Sequence, residues 1–204
     1  MEPWDSNTIA AASAAQQVLR DYVVFHGKDE NGDPMDIGFW TGEDDVTVTV
    51  VSAVDGEPVS YDYVGGALNE IDTIVTTIGL DARPITLRLS HLKSAAQDAV
   101  RAYSIRHAVV EIHRGRLGAD TFTLVADPLP LYLGKVLKVD VDTPEEGGEG
   151  AISVTCVPSS IGLTRTNPAK KSDEQQKRRS GDRFRRYSDT ASPASVWWGE
   201  ARAD

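Results

Sequence analysis

The sequence predicts a mainly β protein: a β-sandwich or β-barrel domain with one packed helix, a short N-terminal helix and an extended C-terminal arm. Three observations predict it. Short apolar segments, several alternating at period two, recur along residues 20–157, as half-buried strands require. Clusters of Gly, Asn, Asp and Pro separate them at regular spacing. Only one internal segment, residues 94–103, prefers helix by composition. The 204 residues are 40% hydrophobic, enough for one domain with a real core plus appendages. The expected organisation is an N-terminal helix in 1–19, a β-rich domain in 20–157 and a basic arm in 158–204.

Residues 7–19 are rich in Ala and Gln and read as a helix, with Asp5, Ser6 or Asn7 available as N-cap. Residues 21–26 (DYVVFH) are strand-like, and 28–34 form a dense turn cluster containing Asn-Gly. Residues 35–40 read as the returning strand. Residues 46–51 (VTVTVV) alternate at period two, Asp55-Gly56 marks a turn, and 59–64 carry the next strand. The β-branched run 71–78 and the alternating run 85–89 follow as strands. Further strands are expected at 108–113, 121–126, 131–141 and 151–157, with a bulge or bend at Gly134. Residues 144–150 are loop by composition. After Pro158 the apolar period is lost, and the chain runs on to the pair Trp197-Trp198. No internal repeat is visible.

Several function classes lose their support at this level. The single cysteine, Cys156, forms no internal disulfide and builds no zinc or iron–sulfur site alone; within a strand it reads as a small buried hydrophobe. No stretch approaches the roughly 18 apolar residues of a membrane span. The opening residues lack the basic lead and apolar core of a signal peptide, so a reducing cytosol is the expected site of synthesis. Asp29, Asn31 and Asp33 copy the first ligand positions of a calcium loop. Pro34, however, stands where Gly belongs, and Trp40 where the bidentate Glu belongs, so a hairpin turn is expected. The histidines His26, His91, His107 and His113 show no metal-ligand spacing and read as surface or boundary residues. Gly65-Gly66 is too short for a phosphate loop, and no G-x-S-x-G elbow is present. Tyr61, Tyr63, Phe39 and Trp40 read as core or interface aromatics. No catalytic constellation, metal site or cofactor site is predicted.

Charge is the informative signal. The net charge is −10, yet residues 164–187 hold nine of the 21 Lys/Arg and three of the 31 Asp/Glu, leaving 12 basic and 28 acidic residues elsewhere. The candidate partner-binding residues are Arg165, Lys170, Lys171, Lys177, Arg178, Arg179, Arg183, Phe184, Arg185, Arg186 and Tyr187. A basic segment on an acidic body folds back on its own domain, reaches an acidic surface on a neighbouring copy, or meets nucleic acid. Phe184 and Tyr187 among the arginines suit base stacking, while the acidic body opposes phosphates.

One ordered series of motifs carries a family resemblance. It runs Phe25-His26-Gly27 to Gly38-Phe39, Val59-Ser60-Tyr61-Asp62-Tyr63, Gly66-Ala67-Leu68-Asn69-Glu70-Ile71 and Leu87-Arg88-Leu89-Ser90. It continues through Arg106-His107-Ala108-Val109-Val110-Glu111-Ile112-His113-Arg114 and Tyr132-Leu133-Gly134-Lys135-Val136. The series resembles the N-terminal hub domain of tail-tip proteins in long-tailed, non-contractile bacteriophages and gene transfer agents. The stretch from Thr164-Arg165-Thr166-Asn167-Pro168 to Gly181-Asp182-Arg183-Phe184-Arg185-Arg186-Tyr187 is similar to the closing segment of phage tail-tip structural proteins. The resemblance implies a non-enzymatic virion protein of the tail tip, assembled in the bacterial host cytoplasm. It also implies a homo-oligomeric ring of three, six or another number of copies, joining the tail tube to hub and fibre proteins, with no membrane partner and genome DNA only in transit. Related hub proteins often carry a larger second half or cysteine-bearing segments, absent here, which leaves compact hub and distal tail ring protein both open.

Overall fold

The computed structural model describes residues 6–13, 17–75, 83–101, 105–143, 150–164 and 171–187. The chain divides into two compact units, Met1–Thr164 and Arg165–Asp204. The first unit is mainly β. Its elements are α1 (Ser6–Ser13), β1 (Val18–Lys28), β2 (Pro34–Trp40), β3 (Val46–Val51), β4 (Pro58–Val64), β5 (Leu68–Ile71) and β6 (Ile85–Ser90). They are followed by α2 (Ser94–Arg101), β7 (Val109–Leu117), β8 (Leu129–Asp142), β9 (Ala151–Pro158) and α3 (Ile161–Thr164). The strands form one nine-stranded sheet in the order β3-β4-β2-β1-β7-β8-β9-β6-β5. It is mixed: β2 and β4 pair parallel at Gly38↔Tyr63 and Phe39↔Val64, and the other pairs are antiparallel.

β1 organises the core because it is buried on both faces. Val23 and Phe25 enter a large cluster with Phe39, Leu87, Leu89, Ile112, Ile152 and Val154, sealed by Ala96 and Ala99 of α2. Tyr22 and Val24 point the opposite way, into a cluster with Val48, Val50 and Tyr63 of the β3–β4 hairpin. Burial on both sides explains why residues 22–25 read as a continuous apolar run rather than an alternating one. In the smaller cluster Tyr22 stacks on Trp40 with ring centroids 5.5 Å apart and meets Tyr63 edge-on at 5.1 Å. Such pairs stabilise by roughly 0.5–1.5 kcal/mol beyond their area burial. The buried Tyr22 hydroxyl is pushed up to about 12 by desolvation, with nearby Arg20 opposing.

Four sequence expectations shift. Val18 and Leu19 belong to β1, not to the N-terminal helix; both are β-compatible and Val18 pairs with Leu117 of β7. The strand expected at 71–78 lies earlier, at Leu68–Ile71, where it pairs with β6; residues 72–75 are not strand, and 76–78 fall outside the described residues. Residues 121–126 make a single bridge, Leu117↔Leu124, instead of a strand. There the Phe122 and Gly118 N–H groups close a local loop with Gly118 O and Thr123 O at 2.9 Å each, and Phe122 is left-handed, with φ 52°. β8 is irregular at two places, at Leu131 against β7 and between Val136 and Lys138 against β9, and is in register at Gly134. The second of these reverses the inward parity, from Tyr132 and Val136 to Val139. Gly134 is needed for a different reason: a Cβ there would sit 2.5 Å from Val157 O and 2.6 Å from the Tyr132 ring.

Candidate partner-binding surface

The second unit contains the basic segment. Within residues 171–187 the chain expected to be extended forms α4 (Asp173–Lys177) and a succession of turns. The local sequence dictates this. Ser172 is an N-cap whose Oγ accepts the Gln175 N–H at 3.3 Å. Asp173 and Glu174 fill the first turn and Lys177 the last, the arrangement favoured by the helix dipole. Ser180 (φ 53°) and Gly181 (φ 77°) then reverse the chain.

The helix sorts the cations into two groups. Lys177 pairs with Glu174 and, at 3.5 Å, with Asp173, and Arg183 reaches Asp173 at 2.9 Å. The Arg183 guanidinium holds the Asp173 carboxyl below its usual range, and Glu174 raises the Lys177 ammonium. These two cations stitch the unit together. Lys171, Arg178, Arg179 and Arg185 instead line a cleft of about 540 Å³ with Phe184, Gln175, Gln176 and Ser172. Gln176 Nε2 donates to Asp182 at 2.8 Å, and its Oε1 is buried without a hydrogen-bond partner among the described residues. Phe184 is 87% exposed and Tyr187 64%. Arg186 lies over the Tyr187 ring, 5.4 Å from its centroid. Arg165 and Lys170 lie outside the described residues, as does the Trp197-Trp198 pair. The arrangement is chemically suited to anions: planar guanidinium donors beside an exposed ring, with no nucleophile–base pair among them.

The turn expected at Asp29, Asn31 and Asp33 is a hairpin turn. Asp29 Oδ1 accepts the N–H groups of Asn31 and Asp33 at 2.9 and 2.8 Å, and Gly32 takes φ 89°. Gly65 and Gly66 form a tight turn in which Gly66 donates to Gly42 O at 2.7 Å. Cys156 is fully buried, and desolvation pushes its thiol up to about 12. Phe39 and Tyr63 are core, and Trp40 packs on the smaller cluster.

The histidines are the main correction. His113 is fully buried, not superficial, and so is Glu111. Glu111 accepts from His26 Nε2 at 3.1 Å, from the Ala53 N–H at 2.7 Å and from Ser52 Oγ at 3.3 Å. His113 Nε2 lies 3.2 Å from the same carboxylate and 3.0 Å from Val51 O. A carbonyl only accepts, so that nitrogen carries the proton. His26 Nδ1 meets Asp36 at 2.7 Å. Burial pushes Glu111 up, but hydrogen bonds from His113, His26 and the Ala53 N–H outweigh it and hold the carboxyl well below its usual range. The hydrogen bond to Glu111 raises His26; burial opposes, and Asp36 adds to the rise. The cluster pins the loop after β3 onto β1 and β7. Sequence reasoning missed it, although an acid flanked by Val110 and Ile112 in a strand, two residues from a histidine, was its signal.

Among the described residues no group of His, Cys, Asp and Glu is arranged to hold a metal ion, and no helix is long and apolar enough to cross a membrane.

No protein-family model matches the chain, and no curated protein matches it. A putative oxidoreductase from Sinorhizobium meliloti 1021 aligns over 76% of this chain and 47% of that one at 10% identity, but its TM-score of 0.26 carries no argument. A chain from the virion of a native gene transfer agent particle aligns over 83% of this chain with TM-score 0.54 and 14% identity. The protein spans 50% of the length of that chain and shares its fold over this extent.

Proposed function

We propose that the protein is a structural virion subunit of the phage type: a ring component of the tail tip that joins the tail tube to hub or fibre proteins. A hub-type subunit is the favoured form and a distal tail ring protein the next. The observation that carries this reading is the fold shared with a gene transfer agent virion chain over 83% of the sequence. The motif series of residues 25–136 supports it. The mechanism is geometric. A closed ring of identical subunits is built from head-to-tail contacts, each needing two different complementary patches. An acidic body and a basic segment containing Arg165, Lys170 and the cleft cations supply such a pair. The acidic remainder facing the bore would let genome DNA pass without adhering.

Electron microscopy of the purified chain and of intact particles tests the reading. Rings of the isolated chain and label at the tail tip are expected. A protein that stays monomeric within particles, or that turns over a substrate, overturns it. A chain ending at residue 167 is expected to keep the β unit folded and to lose assembly.

A second reading, an adaptor that binds nucleic acid or protein through the basic segment, is favoured by one observation: Phe184 is 87% exposed among arginines. Tight binding to DNA that falls steeply between low and moderate salt would support the adaptor. Ring formation without DNA binding supports the virion subunit.

A further inference from the structure

We infer that the outer edge of β3 is a docking surface for a second copy of this chain, the two β3 strands pairing antiparallel about a two-fold axis at Val48. β3 ends the sheet, and no strand pairs with its outer side among the described residues. The backbone groups on that side can be identified. The Ser52 N–H, just past the strand, donates to Glu57 O at 2.9 Å, whereas the Val51 N–H turns the other way, to Pro128 O at 3.4 Å. Bonding alternates along an antiparallel pair, so Val46, Val48 and Val50 bond to β4 while the N–H and C=O groups of Thr47 and Thr49 face outward. Natural proteins blunt such edges with charge, proline, bulges or short strands. The opposite edge, β5, has four residues, a register shift between Leu68 and Glu70, and the Glu70–Arg88 pair. The stretch of β8 that outruns β7 carries Lys138, Asp140 and Asp142. β3 instead runs six residues in unbroken register with β4 and contains no charge, proline or glycine.

The sequence of the edge selects its partner. Val46-Thr47-Val48-Thr49-Val50 reads the same in both directions. Antiparallel pairing centred on Val48 therefore sets valine against valine and threonine against threonine throughout, the self-complementarity that a two-fold contact requires. The same centre satisfies the backbone. Thr47 of one copy lies opposite Thr49 of the other, both with outward groups, and the two such pairs exchange four N–H···O bonds. Val48 meets Val48 at the axis, where neither backbone points at the other. The ladder also fits the space: Val51, whose N–H is taken by Pro128 O, falls opposite Asp45, where β3 has ended. The edge is ordered before it docks. Thr47 Oγ donates to Asp62 at 2.6 Å, Thr49 and Ser60 share a hydroxyl bond of 2.7 Å, and Val48 and Val50 are fixed in the smaller cluster. A preformed strand loses little conformational freedom on pairing. No ion pair holds the contact. The two Asp62 carboxylates sit on β4 strands three spacings apart, about 14 Å, which exceeds the Debye length of about 10 Å at 0.1 M. A two-fold contact joins copies in pairs and closes no larger ring, so it stands independently of the ring reading.

Sedimentation velocity of the full chain over a concentration series tests the contact, run in about 1 M salt, where contacts between exposed charges are screened. Wild type is expected to associate into dimers there. Thr49→Pro removes an outward N–H, which an edge strand tolerates, and with it two of the four bonds. It is expected to weaken the dimer about 10–100-fold with an unchanged circular dichroism spectrum. Thr47→Lys/Thr49→Lys and Thr47→Glu/Thr49→Glu, compared at low salt, set like charges opposite each other, and each is expected to lose the dimer. An equimolar mixture of the two is expected to regain it, which misfolded variants would not do. A wild type that stays monomeric at every concentration overturns the inference, as does a dimer that persists in Thr49→Pro and in both charged variants. Association at low salt that disappears in 1 M salt overturns it in favour of a contact made by charge. Charged variants that stay apart when mixed overturn the pairing of β3 with β3.

Discussion

Two carboxylates in this molecule gather nitrogen donors in contrasting surroundings. Glu111, in the sheet unit, is fully buried and ringed by His26, His113 and the Ala53 N–H. Asp173, in the C-terminal unit, collects Lys177 and Arg183 at a partly exposed helix start. The same pairing chemistry has different consequences in the two places. In a dry site each removed partner leaves a polar group without water, so the cluster fixes one conformation of the loop after β3. In water the pairs order a short segment and are screened by salt, so they shape a surface without fastening a core.

The largest expected effect breaks the buried side of this contrast. Glu111→Ala removes the acceptor of His26 Nε2, Ser52 Oγ and the Ala53 N–H together and is expected to cost about 3–5 kcal/mol. Urea denaturation followed by tryptophan fluorescence would measure it, since Trp40 stacks on Tyr22 in the adjoining cluster. Glu111→Gln keeps an acceptor for the Ala53 N–H and should cost clearly less. Equal losses in the two variants would show that packing volume, not hydrogen bonding, is what Glu111 supplies.

The contrast also marks what the sequence could disclose. Strands with one wet face announce themselves: residues 46–51 alternate at period two through Val50 and are β3 to the residue. The basic segment is equally plain, because charge is counted without knowing the fold. Its internal sorting is not. Nothing in the order of residues 177–185 shows that Lys177 and Arg183 turn to Asp173 and Glu174 while Arg178 and Arg179 face the cleft; that depends on the Ser172 cap and the reversal at Ser180-Gly181. The Glu111 cluster joins residues 26, 52–53, 111 and 113, which become neighbours only through pairing of β1 with β7 and the return of the β3–β4 hairpin. Long-range pairing of this kind leaves no periodic trace. The parity switch at Val136/Lys138 likewise depends on the register against β9, and Gly134 drew the expectation away from it.

A smaller effect sharpens the comparison through pH. His26 is raised in the folded state, so its contribution is complete below the ordinary histidine value of 6.5 and is lost as pH climbs through the folded value. Glu111 is depressed, so its contribution is complete above the ordinary value of 4.5 and is lost as pH falls below it. The sheet unit should therefore be most stable between these two values, with urea midpoints falling on both sides. His26→Asn should flatten the alkaline arm and also shrink the acid arm, since His26 helps to depress Glu111. An unchanged alkaline arm would mean that His26 does not bridge Glu111 and Asp36 in solution.

The smallest effect belongs to the solvated pair. Asp173→Asn keeps a side chain able to accept from Arg183 while removing the charge that draws in Lys177 and Arg183. Because that carboxylate is held below its ordinary value chiefly by Arg183, it is ionised throughout the neutral range, and the substitution removes a full charge there. The unfolding midpoint of the sheet unit should not move, since Asp173 belongs to the other unit. The change should appear instead as amide exchange across residues 173–177 that quickens in the variant and, in wild type, quickens with added salt. Salt screens interactions between exposed charges, with a Debye length of about 10 Å at 0.1 M, and screens those of a buried carboxylate much less. Wild-type exchange at the Ala53 amide, donated to Glu111, should accordingly ignore the same salt. A salt response at Ala53 equal to that at residues 173–177 would erase the distinction between the two carboxylates.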